Sequence, residues 1–232
     1  MKRRKIAVIG LGDFGRQLVK CLYEEKQEVI AIDKNMELIE EIKDYCTDAI
    51  RMDATDEAAM RSLGLDDFDC VVLAVADDFE TLIITSDILK RIGVKEIIAR
   101  YQTELHVRIL KMLGITHIFN PEERAARNMA EMFRHTNLKG NMIIADDFRI
   151  SEIVVPDFFV GKTLADVQLK EVHELLLVTV KRYKLFSKQK RRDDAPIQET
   201  LGIPSSNFIF RQGDIMVVFG KDDAIEKFLL HI

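Results

Sequence analysis

Lys5-Ile6-Ala7-Val8-Ile9-Gly10-Leu11-Gly12-Asp13-Phe14-Gly15 runs a short apolar stretch directly into Gly-x-Gly-x-x-Gly, and an apolar-periodic segment from Leu18 to Tyr23 follows. Strand, glycine loop and helix in that order are the context that gives such a glycine pattern meaning. Gly10 permits the tight turn, Gly12 lets a phosphate approach the backbone, and Gly15 lets the helix pack closely on the strand. The free amides at the helix start then face an anion.

Downstream, Glu28-Val29-Ile30-Ala31-Ile32-Asp33 reads as a second strand that ends in an acid at the spacing of a dinucleotide fingerprint, about 20 residues on. Asp33 either binds the two hydroxyls of an adenosine ribose or caps the helix predicted over Asn35 to Tyr45. In the first case its charge would repel a 2′-phosphate, favouring NAD, ATP, ADP or AMP over NADP.

The chain has 232 residues, enough for one large domain or two small ones. Its 47% hydrophobic and 31% charged content suits a soluble globular protein. A formal net charge of −5 argues against nucleic acid as a main partner. Cys21, Cys46 and Cys70 form no CxxC pair, which suggests a reducing compartment and no zinc cluster. The basic start, Lys2-Arg3-Arg4, is not read as a signal peptide, because glycines and Asp13 interrupt the apolar stretch. No apolar run is long enough to cross a bilayer, so a membrane role would be through a partner.

Alternating strands and helices through the first half predict a doubly wound parallel sheet. Asp48 to Met52 is a third strand leading to Asp53-Ala54-Thr55-Asp56, where Thr55 or Asp56 caps a helix or the cluster borders adenine. Cys70 to Ala76 is apolar throughout, as for a strand buried on both faces, and small Ala74 and Ala76 would leave room for a nucleotide beyond its end. A helix over Glu80 to Ile92 leads to the strand Glu96 to Ala99, whose end carries Arg100, a cation suited to phosphate or simply exposed. The helix Glu104 to Leu113 and the strand Thr116 to Phe119 come next. Asn120-Pro121 starts a helix that runs to about Arg134, with Ala125, Ala126, Met129, Ala130 and Phe133 on one stripe.

A domain boundary is placed at Leu138 to Asn141, dividing the chain into 1–138 and 139–232. The second part reads as a compact α+β module: strands Phe148 to Val155, Leu175 to Lys181 and Ile215 to Phe219, a short helix Thr163 to Leu169, and a closing helix Asp222 to Leu230. The cation-dense run Lys181 to Arg192 is either a solvated hairpin tip or a contact to anionic lipid or nucleic acid.

Catalytic patterns do not emerge. None of the four tyrosines has a Lys four residues later, no Gly-x-Ser-x-Gly elbow or Walker lysine is present, and His106, His117, His135, His173 and His231 lack metal-ligand spacing.

Together, Gly10-Leu11-Gly12-x-Phe14-Gly15, Asp33, Asp53 to Asp56, Ala74 to Asp78, Ala99-Arg100, Leu113-Gly114 and Asn120-Pro121-Glu122, followed by the small module, resemble the RCK/KTN proteins, the regulatory subunits of Trk and Ktr potassium transporters. The resemblance covers essentially the whole chain and implies a Rossmann-like sheet, a crossover helix after Pro121 and a smaller TrkA-C-type domain, in the Ktr-like form with a single unit. It further implies a non-enzymatic, nucleotide-sensing gating subunit. That subunit would be cytoplasmic and peripheral, and would assemble as a homodimer and then an octameric ring beneath a membrane potassium transporter subunit.

Carried over by position, Gly10, Leu11, Gly12, Asp13, Phe14 and Gly15 would meet the phosphates, Asp33 and Lys34 the ribose side, Asp53 and Ala54 the adenine side, Ala74 and Val75 the pocket wall, and Arg100 the phosphates. Glu122 matches a glutamate that contributes to a divalent-cation site at the dimer interface of Ktr-type relatives. Asp13 departs from the family's Arg and would repel a terminal phosphate unless a divalent ion bridges them. ATP, ADP, AMP and NAD or NADH therefore all stay open as ligands. An NAD-dependent oxidoreductase with an unrecognised catalytic pair is the alternative, and a nucleotide-dependent interaction protein for another membrane partner is a third reading.

Overall fold

The structure is a computed structural model that describes residues 3–75, 78–145, 147–183 and 198–232. The chain forms two compact units, Met1–Glu122 and Glu123–Ile232.

The first unit is built on six parallel strands, β1 (Lys5–Ile9), β2 (Glu28–Asp33), β3 (Asp48–Arg51), β4 (Cys70–Leu73), β5 (Ile97–Arg100) and β6 (His117–Phe119), in the order β3-β2-β1-β4-β5-β6. The chain winds outward one way from β1 and then the other way from β4, so the connections that leave the carboxyl ends of these two paired central strands run in opposite directions. That topological switch is where such sheets bind ligands. Successive residues of β1 sort to opposite faces, as the two-residue period of a strand requires. Ala7 and Ile9 join Val71, Leu73, Met60 and Leu82 on one side, while Ile6 and Val8 join Val29, Val72 and Val19 on the other.

Five helices cover the two faces: α1 (Asp13–Glu24), α2 (Met36–Ile42), α3 (Glu57–Ser62), α4 (Phe79–Ile92) and α5 (Glu104–Met112). Four of them start on a capping side chain: Asn35 for α2, Asp56 for α3, Asp78 for α4 and Thr103 for α5. Asp33 is thus not the cap of α2, and Asp56 rather than Thr55 caps α3. The fourth strand ends at Leu73, earlier than the predicted Ala76, although the Ala74 amide still bonds to the Ile9 carbonyl. Ala76 and Asp77 lie outside the described residues.

Helix α6 (Pro121–Arg134) begins as the sequence predicts. Its apolar stripe is exposed, Met129 by 57% and Phe133 by 81%. The compact units divide the chain after Glu122, ahead of Leu138 to Asn141, because the last turn of α6 is tied into the second unit. Glu131 there takes the side chain of Asn141, and Arg134 and His135 both reach Glu226.

The second unit holds the antiparallel sheet β10-β9-β11-β8-β7, from β7 (Leu138–Ala145), β8 (Phe148–Val154), β9 (Leu176–Tyr183), β10 (Gln198–Thr200) and β11 (Ile215–Lys221). Two of these strands, β7 and β10, carry no strand pattern in the sequence. Lys139-Gly140-Asn141, read as a break, lies inside β7; Gly140 stands at a register shift against β8, and bulges of this kind tolerate a residue that strand patterning penalises. β10 has only three residues, too few to show a period.

The helix predicted over Thr163 to Leu169 is two short ones, α7 (Leu164–Val167) and α8 (Leu169–His173), broken at Gln168 with φ +50°. α9 (Asp222–Leu230) ends the chain, burying Ile225 and Phe228 with Phe159, Phe210 and Met216. Lys181 and Arg182, the first cations of the basic run, are strand residues paired with Glu152 and Asp214. Lys184 to Arg192 lie outside the described residues, so the hairpin-tip and lipid readings of that run do too.

Candidate functional site

A cavity of about 320 Å³ opens beyond the carboxyl ends of β1, β2, β4 and β5, at the switch between β1 and β4. Its floor is the glycine turn. Gly10 has φ +93°, and a Cβ there would lie 2.8 Å from Cγ2 of Val75. A Cβ on Gly15 would lie 1.9 Å from the carbonyl oxygen of Gly10, so the third glycine sets the contact between helix and turn. Gly12 differs: nothing lies within 4 Å of its Cβ position, which faces open space. It also caps α1 with no side-chain bond, in contrast to the caps of α2 to α5. The first-turn amides of α1 are therefore left for an outside acceptor, and the helix dipole favours an anion there.

Of the residues singled out from the sequence, Gly10, Gly12, Asp13, Phe14, Asp33, Lys34, Asp53, Ala54, Ala74, Val75, Arg100 and Glu122 all line this cavity. Leu11 and Gly15 do not. Leu11 is fully buried in the core and contributes its backbone, whose amide donates to Asp33 Oδ2 at 2.7 Å. The other Asp33 oxygen accepts from the Asn35 amide at 2.8 Å. Both carboxylate oxygens thus hold backbone, and the ribose-side acid is fixed to the phosphate-side loop.

Asp53 accepts from the hydroxyl and the amide of Thr55, and these bonds hold its carboxyl below the usual range. The amide and hydroxyl of Thr81 do the same for Asp78, so both acids are charged at neutral pH.

Asp78 and Thr81, together with Ile9, Ile32 and Met52, line the cavity without having been singled out as site residues. Asp78-x-x-Thr81 ahead of an apolar run was a legible capping signal; Met52 and the two isoleucines carry none. Lys34 Nζ lies 3.9 Å from Asp78, linking the end of β2 to the start of α4 across the cavity rim.

Asp13 is fully exposed and bonded at 2.7 Å to Arg16, whose guanidinium also donates to the Leu11 carbonyl at 2.9 Å. The charge of Arg16, a residue that the glycine motif does not specify, offsets that of Asp13 within one helical turn. At the far end, Arg100 is only 14% exposed, ion-paired with Glu122 and 5.8 Å from the centre of the Phe14 ring, which itself packs on Phe119. Its Nε is buried with no hydrogen-bond partner among the described residues. Glu122, expected as a cation ligand, is therefore engaged by Arg100, and among the described residues no three His, Cys, Asp or Glu side chains form a metal cluster.

Comparison with known proteins places these features in a family. The TrkA-N domain family matches residues 6–121. Over 226 residues, 97% of this chain and 96% of the relative, the protein is 30% identical to the Ktr system potassium uptake protein C of Bacillus subtilis (strain 168). It is 28% identical over 222 residues to the Ktr system potassium uptake protein A of Vibrio alginolyticus, covering 96% of this chain and 94% of that one. Among solved structures its fold is similar to part of the chain in the GsuK channel bound to NAD, with a TM-score of 0.65 and 16% identity over 98% of this chain and 40% of that one. The NAD(P)-binding domain of an exopolyphosphatase-related protein from Archaeoglobus fulgidus matches 57% of this chain and 98% of its own at 26% identity and a TM-score of 0.51. With its Rossmann-like sheet, its glycine turn and a match to Ktr proteins along nearly all of its length, the chain belongs to the TrkA-N (RCK/KTN) family.

Proposed function

We propose that the protein is a nucleotide-sensing regulatory subunit of a potassium transport system and not an enzyme. One observation carries the nucleotide part: the single uncapped helix start among α1 to α5 opens, with the Asp33-bonded glycine turn and Arg100, into one cavity at the sheet's switch point. The potassium part rests on the full-length likeness to proteins named for Ktr potassium uptake. That likeness also disfavours the oxidoreductase alternative.

In this reading the phosphates lie over Gly12, the ribose meets Asp33 and Lys34, the adenine lies toward Asp53 and Ala54, and Arg100 closes the phosphate end. In this reading the protein is cytoplasmic and reaches the membrane through the transporter subunit, as the likeness to Ktr proteins supports; no helix among the described residues is long and apolar enough to cross a membrane. The exposed Met129 and Phe133 face of α6 is the dimer surface, and dimers assemble into an octameric ring. A divalent cation enters beside Glu122, with nucleotide phosphates completing a ligand set that the described residues do not supply.

Calorimetric titration with ATP, ADP, AMP, NAD and NADH, with and without magnesium, tests the site. Binding of at least one of them is expected, accompanied by a change in the solution scattering of the assembled ring, because gating requires different affinities for two conformations. Absence of binding by all five would sink the reading. Co-purification with a potassium transporter subunit tests the partner.

A further inference from the structure

The ion pair at the phosphate end of the cavity is incomplete on one side. Glu122 bonds one terminal nitrogen of Arg100, while the buried Nε of the same guanidinium has no hydrogen-bond partner among the described residues. An orphaned buried donor is costly, and a guanidinium presents its Nε and a terminal nitrogen side by side as a fork suited to two oxygens of one phosphate. Glu122 is 61% exposed and stands in the first turn of α6, so water can take its carboxylate back at little cost.

We propose that Glu122 is a built-in competitor of the ligand: a nucleotide phosphate displaces it from Arg100, satisfies Nε, and leaves a free carboxylate at the start of α6. This rests on the nucleotide reading of the cavity and adds its regulation. Occupancy is then reported chemically at the helix that leads out of the first unit. Only ligands with a phosphate that reaches Arg100 release Glu122; adenosine fills the ribose end and leaves the pair intact.

The test is calorimetry in metal-free buffer with ADP and adenosine on wild type, Glu122→Gln, Arg100→Lys and the double variant, after thermal unfolding confirms that each is folded. Removing the competitor should tighten ADP roughly three- to fivefold, the scale of a partly exposed ion pair. Adenosine affinity should not change. In the Arg100→Lys background, where the fork is gone, Glu122→Gln should have little further effect, which separates competition for Arg100 from plain repulsion between Glu122 and phosphate.

ADP affinity unchanged or weakened by Glu122→Gln, or an equal gain with Lys at position 100, overturns the proposal while leaving nucleotide binding in place. A wild-type protein that binds neither ADP nor adenosine overturns the proposal, and the nucleotide reading falls with it only when ATP, AMP, NAD and NADH fail to bind as well.

Discussion

The backbone amide of Leu11 donates to the Asp33 carboxylate at 2.7 Å, tying the glycine turn after β1 to the end of β2, 22 residues away. Because the second oxygen of Asp33 takes the Asn35 amide, an amide side chain cannot reproduce both bonds. Asp33→Asn should lower the melting temperature by roughly 2–6 °C and weaken adenine nucleotide binding by about tenfold or more, the cost of hydrogen bonds to a charged acceptor. Calorimetry and thermal unfolding check the two effects separately. Unchanged nucleotide affinity would remove Asp33 from the site.

The glycines should behave differently from one another. Gly15→Ala drives a Cβ into the Gly10 carbonyl, so it should destabilise the first unit by about 1–3 kcal/mol or more. Gly12→Ala meets nothing within 4 Å and should fold with near wild-type stability, yet its methyl projects into the cavity and should abolish binding. Melting curves and ligand titration on the pair decide this; a Gly12→Ala protein that binds normally places the phosphates elsewhere.

In the second unit the Arg149 side chain is 4% exposed, with Glu226 at 3.0 Å, Asp222 at 3.1 Å and Glu131 at 3.6 Å. Burial alone would raise the Glu226 carboxyl; the Arg149 bond and the charges of Arg134, Arg149 and His135 outweigh it and hold the group below its ordinary 4.5. A depressed carboxyl stabilises the fold fully above its unfolded value and loses that contribution as pH falls through the lower folded value. Urea midpoints measured from pH 7 down to pH 3 should therefore fall more steeply for wild type than for Glu226→Gln. Arg149→Met, which strands the carboxylates, should cost about 3–5 kcal/mol at pH 7.

Cys70 is buried in β4, and burial pushes its thiol up to about 11, whereas Cys21 is exposed on α1. Reactivity follows thiolate and access. Iodoacetamide at pH 8 should label Cys21 in the folded protein and reach Cys70 only after denaturation, as peptide mass mapping would show. Early modification of Cys70 would mean that the central strand opens under native conditions.

The first unit was largely legible because its signals are local: two-residue alternation, the Gly10 to Gly15 turn, and caps such as Asn35 and Asp56 adjoin the elements that they define. The second unit was less so. β10 is too short for a period, Gly140 masks β7 at a register shift, and Gln168 in the left-handed region splits a helix that composition would continue. For the candidate site, most residues taken from the motif do line one cavity, but the motif could not say that Leu11 and Gly15 act from behind it, or that Arg16 balances Asp13.

By itself the sequence determined the parallel doubly wound sheet, the glycine turn and the acid that follows it, since each is written in neighbours a few residues apart. Only the tertiary structure decided what the charges do. Arg100 meets Glu122 across 22 residues and Arg149 meets Glu226 across 77, and such pairings depend on which strand ends and helix turns the fold brings together, a relation that no local pattern encodes.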